Sequence, residues 1–311
     1  MGLVGAILGD IAGSRFEFQW DEGSLNYRRY NDYELFTEHN FATDDSFMSI
    51  ATMKACETDL DFAKWYREYG NKYPASYGGK FGMWLFCKDM GPYNSYGNGS
   101  AMRVSYIGEK YPMEQVEEMA TKSAEVTHNH EEGIKGAVVT ATCIAMARDG
   151  KSKEEILEYG ISKYSSKARY YPYRFGCDRA YKDYKDETKM DETCMVSVPI
   201  AIRCFYESSS FEECMRMINS LCCDTDTIGA IAGAICESYY GSCLGSKEAD
   251  YEMMAKYLPK ELYDEVVSVL KKENSEKQNT SLEEKKSNSK FDTSTKKEKN
   301  KRFSFWNLFK K

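Results

Sequence analysis

The sequence predicts an all-α fold, and three observations carry that prediction. Only six prolines occur in 311 residues, so little interrupts a helical run. Apolar residues recur at the period of a helix face in segment after segment. No succession of strands and helices suggests a doubly wound sheet.

The first helix starts at Leu3 and packs through Leu3, Ile7, Leu8 and Ile11, with Gly13-Ser14 as its exit. A second follows Thr43-Asp44-Asp45-Ser46, with Phe47, Met48, Ile50, Ala51 and Met53 behind it. Two Gly- and Tyr-rich loops come next, Tyr77-Gly78-Gly79-Lys80-Phe81 and the stretch from Pro92 to Ser100. Val116, Met119, Ala120, Ser123 and Ala124 form one helical stripe; Ile134, Ala137, Val138, Ala141, Ile144 and Ala145 form another. The segment from Lys163 to Lys189 is rich in Tyr, Lys and Asp and lacks periodicity, which predicts an irregular surface wrap. Val196, Val198, Ile200, Ala201 and Phe205 fit a buried helix after Asp191-Glu192-Thr193. Ile228, Ala230, Ile231, Ala234 and Ile235 fit another after Asp224-Thr225-Asp226-Thr227. No repeat of solenoid period occurs.

Past Leu270 the composition turns to Lys, Glu, Asn, Ser and Thr. This divides the chain into a domain over 1–270 and a tail over 271–311 that cannot offset its ordering entropy and is expected to be disordered. The tail holds 13 Lys and Arg against 6 Asp and Glu, a balance of +7, so the net charge of −7 leaves −14 on the first 270 residues. An acidic body argues against a nucleic-acid groove as the main function. The tail ends in Lys301-Arg302-Phe303-Ser304-Phe305-Trp306-Asn307-Leu308-Phe309-Lys310-Lys311, whose basic and aromatic residues suit weak, reversible docking to an anionic membrane or a partner. The apolar start, Leu3 to Ala12, carries Asp10 and lacks a basic leader, unlike a signal peptide or a membrane span. Eleven cysteines without a secretory signal point to reduced thiols and a cytoplasmic protein, with Cys56, Cys143, Cys204 and Cys236 in the core.

The two acidic clusters are the most informative feature. Either one alone reads as a helix cap, since Thr, Ser and Asp favour that position and carboxylates complement the dipole. As a pair they offer hydroxyl and carboxylate groups, the oxygen ligands that a hard cation prefers, and six such groups are enough for two ions if the fold joins them. Glu17 lies just past the first helix's exit, where a carboxylate could face a cleft or simply solvent. Asn94-Ser95-Tyr96-Gly97-Asn98-Gly99-Ser100-Ala101-Met102-Arg103 is either an ordinary turn or a loop whose bare backbone N–H groups meet an anion, with Tyr96 placed to stack on a base. In Thr127-His128-Asn129-His130-Glu131, a His-x-His pair lacks a third ligand at zinc spacing; His130 is a candidate cap and His128 a candidate cleft residue.

In order, Gly-Asp-x-x-Gly-Ser-x-x-Glu, Thr-Asp-Asp-Ser, Tyr-Gly-Gly, Gly-Asn-Gly-Ser-Ala-Met-Arg, Thr-His-x-His-x-Glu-Gly-Ile-x-Gly-Ala and Asp-Thr-Asp-Thr-Ile-Gly-Ala-Ile-Ala-Gly resemble the ADP-ribosylglycohydrolase family, from about Gly5 to Tyr240. The resemblance implies an orthogonal helical bundle with a binuclear Mg²⁺ or Mn²⁺ centre in a cleft. It implies metal ligands at Thr43, Asp44, Asp45, Asp224, Asp226 and Thr227, and a catalytic glutamate at Glu17, with Asp44 and Asp45 counted in the catalytic set. Gly78, Gly79, Ser95, Tyr96, Gly97, Asn98, Gly99, Ser100 and Met102 match loops that hold ADP-ribose, and His128 matches a histidine beside the ribose. Two departures stand out: Ser46 replaces the usual Thr, and Cys222-Cys223 replaces the usual Gly-Gly ahead of the second cluster, where a positive φ would cost a cysteine more than a glycine.

The implied activity is a metal-dependent ADP-ribosyl hydrolase that cleaves the glycosidic bond at the anomeric carbon of the distal ribose. Its partner would be an ADP-ribosylated protein or small-molecule acceptor, and the enzyme is expected to be monomeric. The alternatives are a catalytically silent ADP-ribose-binding module, which Cys222-Cys223 makes conceivable, and a binuclear phosphohydrolase.

Overall fold

The computed structural model describes residues 2–17, 33–169, 172–184, 187 and 189–273. Among them the fold is all-α, with a single isolated antiparallel bridge, Gly97 to Thr193, as the only β pairing. The chain forms two compact units, residues 1–259 and 260–311. In the second, residues 260–273 are helical; the rest of the tail lies outside the described residues, as does its basic-aromatic end.

The first unit is built around two helices, α1 (Gly2–Ser14) and α12 (Thr225–Tyr240). Every residue of α1 is buried, not only the predicted stripe, and α12 is buried from Thr225 to Glu237. A helix apolar on all sides belongs in a core. What lets the two meet is glycine at every fourth position. A Cβ on Gly5 would stand 2.2 Å from the Gly233 carbonyl oxygen, one on Gly9 2.0 Å from that of Gly229, and one on Gly13 2.2 Å from that of Thr225. The pairings descend on one helix as they climb the other, so α1 and α12 run antiparallel with backbones in contact. The C-terminal end of α1 therefore meets the N-terminal end of α12.

Around this pair lie α2 (Asp44–Glu57), α3 (Phe62–Lys72), α4 (Gly79–Phe86), α5 (Gly99–Met102), α6 (Ser105–Lys110), α7 (Met113–Glu125), α8 (Glu131–Arg148), α9 (Lys153–Lys163), α10 (Cys194–Glu207), α11 (Phe211–Asn219) and α13 (Lys247–Tyr257). The helix α2 packs on α1, while α8, α10 and α11 pack on α12. Local chemistry sets many of the starts: Asp61, Ser210 and Ser246 cap α3, α11 and α13, and Ser152 with Glu155 forms a capping box on α9. Gly241, at φ 84°, closes α12 in the left-handed conformation that glycine favours.

Two expectations change. Tyr77 to Phe81 is not all loop, because α4 begins at Gly79 with Gly78 as its N-cap. The aperiodic stretch after Lys163 is more than a surface wrap, since Tyr164, Tyr173, Phe175, Cys177 and Tyr184 are buried and anchor it. Irregular backbone hid that anchoring from a search for periodicity. Cys56, Cys143, Cys204 and Cys236 are in the core, and all eleven cysteines are free thiols. No described helix is long and apolar enough to cross a membrane.

Candidate active site

The antiparallel meeting of α1 and α12 brings Asp10 and Glu17 to the two acidic clusters, which form the first turns of α2 and α12. Thr43 caps α2, its hydroxyl accepting from the Asp45 N–H at 3.3 Å. Carboxylate oxygens of Asp10, Asp45 and Asp226 lie within 4.8 Å of one another, as do those of Glu17, Asp224 and Asp226. Thr227 donates to Asp45 Oδ2 at 3.3 Å, linking clusters 182 residues apart. Asn98 Nδ2 donates to Asp224 Oδ2 at 2.7 Å and to Ser197 Oγ at 2.8 Å, tying the glycine loop to the second cluster.

Six carboxylates gathered in one place, Asp10, Glu17, Asp44, Asp45, Asp224 and Asp226, raise each other's cost of ionisation. Burial first, then Asp10, pushes the carboxyls of Asp44 and Asp45 well above the usual range. Burial, then Asp224 and Asp45, does the same to Asp226. Glu17 is raised to about 7 by burial and by Asp224, Asp10 and Glu192, against the lowering effect of its hydrogen bond with Asp226. Burial raises Asp10 to about 6, against its bonds from Ser46 and Thr43. Such a cluster must either take up protons or hold a cation.

The donor set fits a divalent metal. It is made of oxygen alone, and Asp45 Oδ1 is buried with no hydrogen-bond partner among the described residues. An orphaned carboxylate oxygen facing other carboxylates is costly unless something positive binds it.

Above the cluster opens a cavity of ≈ 440 Å³. Asp44, Asp45, Asp226, Thr227 and Glu17 line it, with Gly78, Gly79, Ser95, Gly97, Asn98, Gly99, Met102 and His128. Thr43 and Asp224 are buried and are not among its lining residues. A Cβ at Gly78 or Gly79 would meet nothing within 4 Å, so bare backbone borders open space. Two of the loop residues sit elsewhere. Ser100 is buried, its hydroxyl donating to the Gly133 carbonyl at 2.7 Å. Tyr96 lines a separate cavity with His130, edge-on to that ring at 5.2 Å between centroids. His130 caps α8, accepting from the Glu132 N–H at 3.1 Å. The helix after the glycine loop, α5, is only four residues long, so little dipole stands behind that loop.

Three residues here were not singled out from sequence. Asp10 sat inside the first motif, and its place beside Asp45 and Asp226 was visible only in three dimensions. Glu192 lines the cavity, its carboxyl raised by burial, then Asp224 and Asp191, and its carbonyl accepts from the Asn98 N–H at 2.8 Å. Arg103 lines the wall while only 1% exposed. Cys222 and Cys223 need no unusual backbone: among the described residues the non-glycine positions with positive φ are Leu60 and Asn94.

A sequence model of the ADP-ribosylglycohydrolase family matches residues 1–246. ADP-ribosylhydrolase ARH3 of Bos taurus is 28% identical over 325 residues, covering 80% of this chain and 89% of its own. The Homo sapiens ADP-ribosylhydrolase ARH3 is also 28% identical, over 335 residues, with the same coverage. Among solved structures, an ADP-ribosylglycohydrolase-related protein complex shares the fold, with a TM-score of 0.58 at 21% identity over 82% of this chain and 94% of that one.

Proposed function

Because the chain belongs to the ADP-ribosylglycohydrolase family, we propose that it is a metal-dependent hydrolase releasing ADP-ribose from an acceptor by cleaving the glycosidic bond at the anomeric carbon of the distal ribose. The observation that carries the reading is the orphaned Asp45 Oδ1 within a ring of buried carboxylates on the floor of a cavity large enough for a nucleotide.

Thr43, Asp44 and Asp45 from the start of α2, and Asp224, Asp226 and Thr227 from the start of α12, would hold two Mg²⁺ or Mn²⁺ ions. Such ions supply Lewis acidity toward the ribose hydroxyls and a bound water. Glu17, hydrogen-bonded to Asp226 and poised near neutrality, holds or moves the proton that hydrolysis requires. The bond from the anomeric carbon to the acceptor breaks, the oxygen of water bonds to that carbon, and the acceptor leaves with a proton. Gly78, Gly79, Gly97 and Gly99 let backbone approach the diphosphate closely, and His128 offers a ring nitrogen to the sugar side. The acceptor would be a modified protein or small molecule. Eleven free thiols favour action in the cytoplasm, and the enzyme is taken to be a monomer. The ordinary backbone at Cys222 and Cys223 favours catalysis over a silent binding module.

A panel of substrates ADP-ribosylated on arginine, serine, acetate and a nucleic-acid end tests the reading, with release of ADP-ribose followed in Mg²⁺, in Mn²⁺ and with chelator. Release of intact ADP-ribose that chelator abolishes is expected. Binding of ADP-ribose without turnover in either metal would move the protein to the silent class, and phosphate-bearing fragments would make it a phosphohydrolase.

A further inference from the structure

Arg103 is an unusual residue to find in a core. It is 1% exposed, its guanidinium lies 4.1 Å above the centroid of the Tyr66 ring, and it makes no ion pair among the described residues. Its hydrogen bonds all come from Nη2, which donates to the Ser123 carbonyl at 2.8 Å and to Thr127 Oγ1 at 2.9 Å. Thr127 is itself fully buried, and its Oγ1 lies 2.7 Å from Nδ1 of His128.

The directions of these bonds follow from counting protons. An arginine only donates, so Thr127 Oγ1 accepts from it. The threonine hydroxyl has one proton, and the acceptor within reach is His128 Nδ1. For the hydroxyl to donate there, that nitrogen has to be bare, with the ring proton on Nε2; an Nδ1–H donating to Oγ1 instead would leave the buried hydroxyl proton without that acceptor. The charge of Arg103 reinforces the arrangement, since burial and then Arg103 hold His128 well below its usual range and keep it neutral. His128 Nε2 faces the glycine loop: it would lie 3.3 Å from a Cβ on Gly99 and 3.5 Å from one on Gly97, and all three residues line the cavity. The Tyr93 ring packs beside the imidazole at 5.8 Å between centroids and limits its rotation.

We propose that Arg103 and Thr127 are positioning residues that lock His128 as the Nε2–H tautomer and aim that N–H past Gly97 and Gly99 at an acceptor oxygen of the substrate. The proposal rests on the cavity being the ADP-ribose site. It explains why a positive group is buried without a carboxylate beside it, and why glycine stands at 99, where a Cβ would come within 3.3 Å of the imidazole.

Long-range ¹H–¹⁵N spectra of the full-length protein labelled at histidine test the tautomer, with His128→Asn identifying the His128 signals. An Nε2–H pattern is expected in the wild type, collapse to a mixture in Thr127→Val, and restoration in Thr127→Ser. Affinity for ADP-ribose, measured by calorimetry, should fall about tenfold in Thr127→Val, the usual consequence of losing one well-aimed hydrogen bond, and recover in Thr127→Ser. An Nδ1–H pattern in the wild type would overturn the proposal, as would an unchanged tautomer in Thr127→Val. A shifted tautomer with unchanged affinity would overturn the aim at substrate. If the wild type binds no ADP-ribose at all, the functional reading and the aim fall together, while the spectra still decide the tautomer. Should Thr127→Val not fold, the wild-type spectrum and Thr127→Ala settle the same question.

Discussion

Asp10 serves the first turn of α2 from outside the helix. The Thr43 N–H donates to its Oδ2 at 3.0 Å, the Thr43 hydroxyl to its Oδ1 at 2.8 Å, and the Ser46 N–H to its Oδ2 at 3.1 Å, with the Ser46 hydroxyl making a fourth bond. Four donors on one carboxylate hold the turn that carries Asp44 and Asp45, so Ser46 keeps the hydroxyl its position needs. Asp45 by contrast leaves Oδ1 buried with no hydrogen-bond partner among the described residues. Two aspartates of equal burial thus have different work, set by how many donors each receives. Glu17 differs again, half-buried at the rim with its carboxyl near neutrality. Glu17→Gln keeps its size and loses its charge. Hydrolysis should slow by at least about a hundredfold, the scale of acid–base contributions, while ADP-ribose still binds. Calorimetry beside a turnover assay checks this; loss of binding together with rate would assign Glu17 a structural role.

At the scale of elements, the contact between α1 and α12 sets the geometry of the site. Neither helix has room for a methyl group where the other passes, so Gly9→Ala must push Gly229 away. A loss of about 3 kcal/mol is expected, at the top of the range for overpacking, with the two clusters drawn apart. Urea titration followed by circular dichroism measures it, and a change under about 1 kcal/mol would show that the helices part easily. The same pair carries a pH dependence. Glu237 on α12 accepts from the Gly5 N–H at 2.7 Å, yet burial raises its carboxyl to about 7. A carboxyl whose folded value exceeds its unfolded value of 4.5 contributes fully below pH 4.5, and that contribution is lost as pH rises to about 7. Glu237→Gln retains an acceptor for Gly5 and removes the titration. Relative to wild type it should gain up to about 3 kcal/mol between pH 5 and pH 8. Equal pH slopes for the two proteins would refute the assignment.

For the whole molecule, a metal held by the carboxylates as proposed would make folding and metal binding one equilibrium. A cation among Asp10, Asp45 and Asp226, whose carboxylate oxygens lie within 4.8 Å of one another, would offset the cost of ionising them together. Mg²⁺ or Mn²⁺ at a hundredfold excess over its dissociation constant should add about 2.7 kcal/mol. For a chain of this size that raises Tm by about 4–5 °C. Asp226→Ala should abolish the rise and leave the protein helical, because Asp226 stands in a first helical turn and not among the apolar core. Differential scanning calorimetry with metal and with chelator reads both. A metal-dependent rise that survives in Asp226→Ala would place the ion elsewhere.

Much of this was legible in the chain alone. Apolar period marked the helices at Val116 to Ala124 and at Val196 to Phe205, because burying one face is a demand each segment meets locally. The acidic clusters were legible as helix starts for the same reason, since capping is settled within four residues. Their union was not, because Thr227 reaches Asp45 only through the antiparallel seating of α12 on α1. That seating depends on Gly5, Gly9 and Gly13 meeting Gly233, Gly229 and the Thr225 backbone. A glycine in a sequence announces freedom or a turn; only its neighbour in space shows that the missing side chain was needed for contact. Asp10 and Arg103 were overlooked on the same ground, as charges whose purpose lies with partners distant in the chain. Residue pattern by itself determined the helices and the chemistry available, because both are local. Tertiary structure alone decided which carboxylates share a site and which way His128 points, because those depend on distances that no period encodes.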